Sequence, residues 1–336
     1  MRIGIRIPPC APANEIAQFA LEVERAGLDE VWLPDSQLLW RDVFAVAAAV
    51  AGVTSRIRLG TAVTNLVTRH PAVVASAART VAELAPGRFV LGVGVGNSSV
   101  GPVGLRPSTG AELRSRLGVV RELLSGRRVD FGGVRTGLCD PVPVPIHMAA
   151  SGPRNLRLAG EIADGAILLS GVAPEPLAAA IAEVRAGAAG RTPGPITVSA
   201  FCRITGDVAR DARELKPVCL GIAHNGGASF LAKAGVRVAV PDRLPASYPD
   251  LLHAQDWDAA VRACDPYVDD DAVAVFAREF CLYGTAEEIH TRLHAIENAG
   301  AEAVFLQHVG SYDLPRRLLA DVAGHLTPRL RAPVSG

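Results

Sequence analysis

Two polar clusters each follow a short apolar run. Thr64-Asn65 comes after Ile57, Leu59, Ala62 and Val63, and Gly94-Val95-Gly96-Asn97-Ser98 comes after Phe89-Val90-Leu91 and Val93. In parallel α/β folds the loops at the carboxyl ends of strands build the site. Thr64, Asn65, Gly94 and Asn97 are therefore expected to line one pocket. The glycines let backbone pass close to a neighbour, and tight packing and ligand contact explain them equally. They do not complete the G-x-G-x-x-G dinucleotide fingerprint: its last position is Asn97 when read from Gly92 and Ser99 when read from Gly94. Ser151-Gly152-Pro153-Arg154-Asn155 reads as a helix start. The exposed N–H groups of such a start, with the helix dipole, bind anions. An ordinary cap without a ligand is the alternative, and barrel phosphate sites more often follow the last two strands. Asp35, at the end of a short apolar run, either hydrogen-bonds a ligand, holds a proton or caps a turn. His70, before Pro71, and His147, inside an apolar run, read as structural, while His224 and His308 are candidates that nothing ranks.

Other chemistries lack their residues. No H-E-x-x-H or cysteine cluster points to a metal, and no G-x-S-x-G elbow is present. The only lysines, Lys216 and Lys233, fall in an irregular stretch rather than at a strand end, so a Schiff-base enzyme does not fit. The formal net charge is +0, which argues against nucleic acid as a partner. Six scattered cysteines read as small buried hydrophobes in a reducing cytosol. The amino-terminal MRIGIRIP reads as a strand rather than a signal peptide, and no apolar run is long enough to span a bilayer. A cytoplasmic protein with no membrane partner is expected.

The elements that must position these residues alternate. Strands are expected at 2–7, 30–33, 57–63, 89–93, 146–150, 165–169, 196–203 and 303–306. Helices are expected between them, one from Pro71 to Pro86-Gly87 and one opened by a Thr285/Glu288 capping box. A helix from Val43 to Val50 is small and apolar almost all round, which predicts burial. A hairpin is expected over 127–134 with Gly132-Gly133 at its turn. With 336 residues, 49% of them hydrophobic, this order predicts one (β/α)8 TIM barrel over 1–336, with the Pro- and Asp-rich stretch 206–282 as a divergent insertion within it. A doubly wound two-domain protein is the alternative. Glycine-lined strand ends beside an anion pocket suit a phosphorylated aromatic cofactor.

Two blocks, LGTAVTNLVTRHPAVVASAARTVAELAPGRFVLGVGVGNS and PIHMAASGPRNLRLAGEIADGAIL, resemble the luciferase-like oxidoreductases. The resemblance is nearest to the methylenetetrahydromethanopterin reductase-like branch, whose members use coenzyme F420. It is dense over residues 1 to 170, weakens, and resumes at GTAEEIHTRLHAIENAGAEAVFL. It implies a bacterial luciferase-like barrel with the cofactor at the carboxyl ends of the strands. It also implies a cis peptide at Ala62–Val63 whose bulge supports the ring. Thr64, Asn65, Gly94, Val95, Gly96 and Asn97 would contact the ring or its ribityl chain, Ser151, Gly152 and Pro153 the phosphate, and Asp35 the cofactor. Many relatives place histidine after that aspartate, where this chain has Ser36, and the methanopterin enzymes carry a glutamate near the end of the first strand, where this chain has Arg6. Arg6, Ser36 and His224 are then candidates to face substrate, Arg6 as the partner of an acidic one or else as a solvated strand-end charge. The resemblance implies F420-dependent hydride transfer to a small molecule. FMN-dependent monooxygenation is the alternative and an inactive flavin-binding barrel the second. A homodimer is expected from the resemblance.

Overall fold

The computed structural model describes residues 1–96, 98–192, 194–310 and 312–327. Eight parallel strands close into a barrel: β1 Arg2–Arg6, β2 Glu30–Leu33, β3 Arg58–Thr61, β4 Phe89–Gly94, β5 Ile146–Ala150, β6 Gly165–Leu168, β7 Ile196–Ile204 and β8 Ala303–Gln307. Each pairs with the next, and β8 returns to β1, Arg2 opposite Ala303 and Ile5 opposite Leu306. This is the expected (β/α)8 barrel. A short strand at Leu282–Gly284 lengthens the sheet along the far end of β7, and the hairpin forms from Val129–Phe131 and Val134–Thr136.

Strand alternation separates two environments. In β1, Ile3 and Ile5 join the core beneath the helices, while Arg2, Gly4 and Arg6 point into the barrel. Trp32, Val90, Ile167 and Phe305 form one interior layer, and the Trp32 and Phe305 rings lie 5.5 Å apart. The layer below is charged: the Arg2 Nε donates to Glu30 at 2.6 Å, and the Trp32 Nε1 donates to the same carboxylate at 2.9 Å. The outer helices α1 Ala13–Arg25, α2 Val43–Val53, α3 Pro71–Leu84, α4 Gly110–Leu124, α5 Pro153–Ile162 and α6 Pro174–Gly187 cover the strands. α1 buries Ile16, Phe19, Ala20 and Val23 on one face. Against expectation, α2 is not buried all round. It buries Val43, Phe44, Val46, Ala47, Val50 and Ala51, whereas Val53 is 45% exposed. Its outer face is mostly alanine and glycine, which put little apolar area into water.

The stretch 206–282 lies between β7 and β8 and holds its own hydrophobic cluster, including Leu215, Leu220 and Phe276, which Tyr283 of the short strand Leu282–Gly284 joins. Lys216, 2% exposed, pairs with Asp265 at 2.5 Å and Asp270 at 2.7 Å, and the Tyr283 hydroxyl donates to Glu214 at 2.6 Å. No helix among the described residues is long and apolar enough to cross a membrane.

His147 sits inside the barrel, 2% exposed, with its Nδ1 unpartnered. Burial first, and then the Arg58 charge, push it from 6.5 down to about 4. Above pH 6.5 neither the folded nor the unfolded chain holds that proton; between 6.5 and about 4 only the unfolded chain takes it up. Stability should therefore fall by about 3 kcal/mol through this window from His147 alone. Denaturant midpoints across the window, compared with His147→Met, test this: the variant should lose a smaller fraction of its stability in acid.

Candidate active site at the carboxyl ends of the strands

A bulge shapes the pocket floor. Gly60 pairs with Val90, but Thr64 pairs with Val93, so β3 and its continuation carry one residue more than β4 across the gap. The Ala62–Val63 peptide at this bulge is cis, as the resemblance implied. The Thr61 hydroxyl bridges the interrupted ladder, donating to the Gly92 carbonyl at 2.7 Å and accepting the Gly92 N–H at 2.9 Å.

Loops after β2, β3, β4 and β5 meet in one cavity of about 200 Å³. Its apolar lining is small: Ala62, Val63, Val95, Ala149 and Ala150. Its polar lining includes Ser36, Ser98, Ser99, Ser151 and Asn155. Arg6, Asp35, Ser36, Ala62, Val63, Gly94, Val95, Gly96 and Ser151 of the expected residues all line it. Asn97 lies outside the described residues.

Other expected residues lie behind the wall or at its edge. Thr64, fully buried, donates its hydroxyl to Asp35 Oδ2 at 2.6 Å. Asn65, 1% exposed, accepts from the Val67 and Thr68 N–H groups at 2.9 Å and donates to the Ser99 hydroxyl at 3.0 Å. Its side chain thus ties two loops together. Gly152 and Pro153 are exposed at the start of α5 and do not line the cavity. His224 is half-buried in the irregular helix Ala223–Gly227 and does not line the cavity either.

Asp35 is held as an acceptor. Arg69 forks onto it, Nε to Oδ2 and Nη2 to Oδ1, both at 3.0 Å, and Thr64 adds the third bond. Arg69 also reaches Asp42 at 2.8 Å. Burial lowers the affinity of the Arg69 guanidinium for its proton, but the Asp35 and Asp42 carboxylates override this and raise it. For Asp42, burial pushes the carboxyl up, while the Ala45 N–H and Arg69 pull it below its usual range. Arg69→Met would leave Asp35 buried without its cation, at a cost of about 3 kcal/mol. The urea midpoint checks this; an unchanged midpoint would contradict the pairing.

The start of α5 differs from that of α2, α3 and α4, where Asp42, His70 and Thr109 accept from first-turn N–H groups. Its cap is Gly152, at φ 73°, with no side chain to accept from those groups. Ser151 and Asn155 flank it and face the cavity. Trp40, Ser99, Ala149 and Leu169 line the site without having been marked as site residues in the sequence, and Ser98 and Asn155 line it from the two marked clusters, where neither had been given a role. Asn155, one turn into α5, carried a usable signal: a polar residue on the first turn of a candidate anion-binding helix. Trp40 carried none.

A parallel eight-stranded barrel with a small-floored, serine-rimmed pocket at its carboxyl end defines an α/β-barrel protein with a small-molecule site. The sequence matches the luciferase-like monooxygenase family over residues 1–303, and the chain belongs to that family. A 5,10-methylenetetrahydromethanopterin reductase from Methanolobus tindarius is 34% identical over 227 residues, 64% of this chain and 68% of that one. An F420-dependent glucose-6-phosphate dehydrogenase from Beutenbergia cavernae is 33% identical over 334 residues, 91% of this chain and 94% of that one. The solved structure of a coenzyme F420-dependent tetrahydromethanopterin reductase from Methanopyrus kandleri matches with a TM-score of 0.75 at 21% identity, covering 98% of this chain and 99% of that one.

Proposed function

We propose that this chain is a coenzyme F420-dependent oxidoreductase. It would move a hydride between C5 of the deazaflavin and a C=N, C=C or C–OH carbon of a small organic substrate. The observation that carries this reading is the convergence of the loops after β3, β4 and β5 on one cavity with a small apolar floor and a hydroxyl-rich rim. Such a lining fits a flat ring with a polar tail. The F420-dependent relative that covers nearly the whole chain supports the choice of cofactor.

The bound cofactor supplies the hydride chemistry; the protein supplies position and a dry face. Ala62, Val63 and Ala149 would lie against the ring and exclude water from it. Gly94, Val95 and Gly96 would pass close to its polar chain. Ser151 and Asn155, with the first turn of α5, would hold the phosphate. Thr64 and Asn65 act behind the wall, Thr64 fixing Asp35 and Asn65 fixing the loops. Asp35 would offer the ligand a fixed acceptor. The six unpaired cysteines support a reducing, cytoplasmic location.

Titrating the purified protein separately with F420 and FMN, while following cofactor fluorescence, tests this. Saturable quenching of F420 with no response from FMN is expected. Tight FMN binding without F420 binding would overturn the reading in favour of the monooxygenase alternative, and no response to either would overturn it outright.

A further inference from the structure

Arg6 is a charge without a counter-charge. On the same inward face of β1, Arg2 pairs with Glu30. Four residues on, Arg6 lines the cavity, and no carboxylate among the described residues meets it. Its guanidinium carbon lies 5.3 Å from the centre of the Trp40 ring, which buttresses one face. Trp40 is itself packed edge-on against His253 at 5.3 Å, and His253 is fixed by Asp250 at 2.9 Å. Burial holds the Arg6 guanidinium down to about 10, so it remains charged at neutral pH. The other ionisable group in the lining, Asp35, is already taken by Arg69 and Thr64. A half-buried cation set over an aromatic ring at the wall of a cavity calls for an anion.

The cofactor's phosphate does not meet that need. The barrel order runs four strands from β1 to β5 in either direction. Arg6 at the end of β1 therefore stands across the mouth from Ser151 and Asn155 beyond the end of β5. Arg6 and the start of α5 thus stand at opposite sides of one cavity.

We propose that the substrate of this site carries an oxyanion, a carboxylate or a phosphate, which Arg6 grips by two parallel hydrogen bonds while Trp40 holds the guanidinium plane. This rests on the hydride-transfer reading for what lies beside it, but the oxyanion site can be tested alone. Arg6 acts as a specificity-determining residue: it selects and orients the substrate and transfers no proton. The arrangement also gives the stretch 206–282 a part in the site, because His253 backs Trp40.

The test measures binding of benzoate, benzamide and inorganic phosphate by calorimetry, with and without F420, to the wild type, Arg6→Gln and Arg6→Lys. Wild type should bind benzoate or phosphate at least about tenfold more tightly than benzamide. Preference for benzoate identifies the carboxylate form, and preference for phosphate the other. Arg6→Gln should abolish the preference and Arg6→Lys should keep part of it, since lysine retains the charge but loses the fork. F420 affinity should change less than about threefold in Arg6→Gln, which also shows that the variant folds. An equal affinity of wild type for benzoate and benzamide with no phosphate binding, or a preference that survives in Arg6→Gln, would overturn the proposal. Loss of F420 binding in Arg6→Gln would also overturn it, assigning Arg6 to the cofactor. If wild type shows the oxyanion preference yet never binds F420, the cofactor reading fails and the oxyanion site stands.

Discussion

Gly92→Ala should destabilise the fold by on the order of 4 kcal/mol. A Cβ at Gly92 would lie 1.9 Å from the Thr61 carbonyl oxygen, a main-chain atom that no rotamer change can move. The clash falls where Thr61 bridges the ladder by accepting the Gly92 N–H and donating to its carbonyl. Relieving it means displacing the backbone that carries Ala62 and Val63, so the floor of the cavity moves with it. Gly118→Ala is the control: nothing lies within 4 Å of its Cβ, and it sits mid-helix in α4. There alanine should be neutral or stabilising by about 0.5–1 kcal/mol. Unfolding midpoints for both variants check the pair. Equal midpoints would show that the bulge is not held as described.

Ala149→Phe should leave the protein folded and weaken F420 binding by about 100-fold, or about 3 kcal/mol. Ala149 lines the cavity and packs against the interior layer of Trp32, Val90, Ile167 and Phe305. Its side chain points inward, toward the space the ring would take, rather than into the helix-facing core. A large ring there competes with the ligand instead of with core residues. Fluorescence titration gives the affinity and circular dichroism the fold. Unchanged affinity in a folded variant would place the ring elsewhere.

The barrel was legible because each strand is a short apolar run with turn residues at both ends. The strands β2 and β5 fall where the runs predict, and Thr285 and Glu288 form the expected capping box. The positions of Gly94, Asp35 and Ser151 at strand ends were legible for the same reason. What each side chain faces was harder to read. One extra residue at the bulge turns Thr64 and Asn65 behind the wall, and a two-residue period cannot anticipate such a slip. Arg69 is 34 residues from Asp35, so their pairing is a product of the closed barrel rather than of spacing. Trp40 reaches the site from a loop whose path carries no periodic signal. The same limit applies to His253, which lies more than two hundred residues from Trp40 in the chain and meets it only in the folded structure.

In the proposed function the loops after β3, β4 and β5 would grip one flat, phosphate-tailed ring. A crystal structure of the F420 complex tests it most directly. Ring density is expected over Ala62, Val63 and Ala149, phosphate density at Ser151, Asn155 and the start of α5, and open space beside Arg6. Density with the phosphate at Arg6, or with the ring away from the Ala62–Val63 floor, would contradict it.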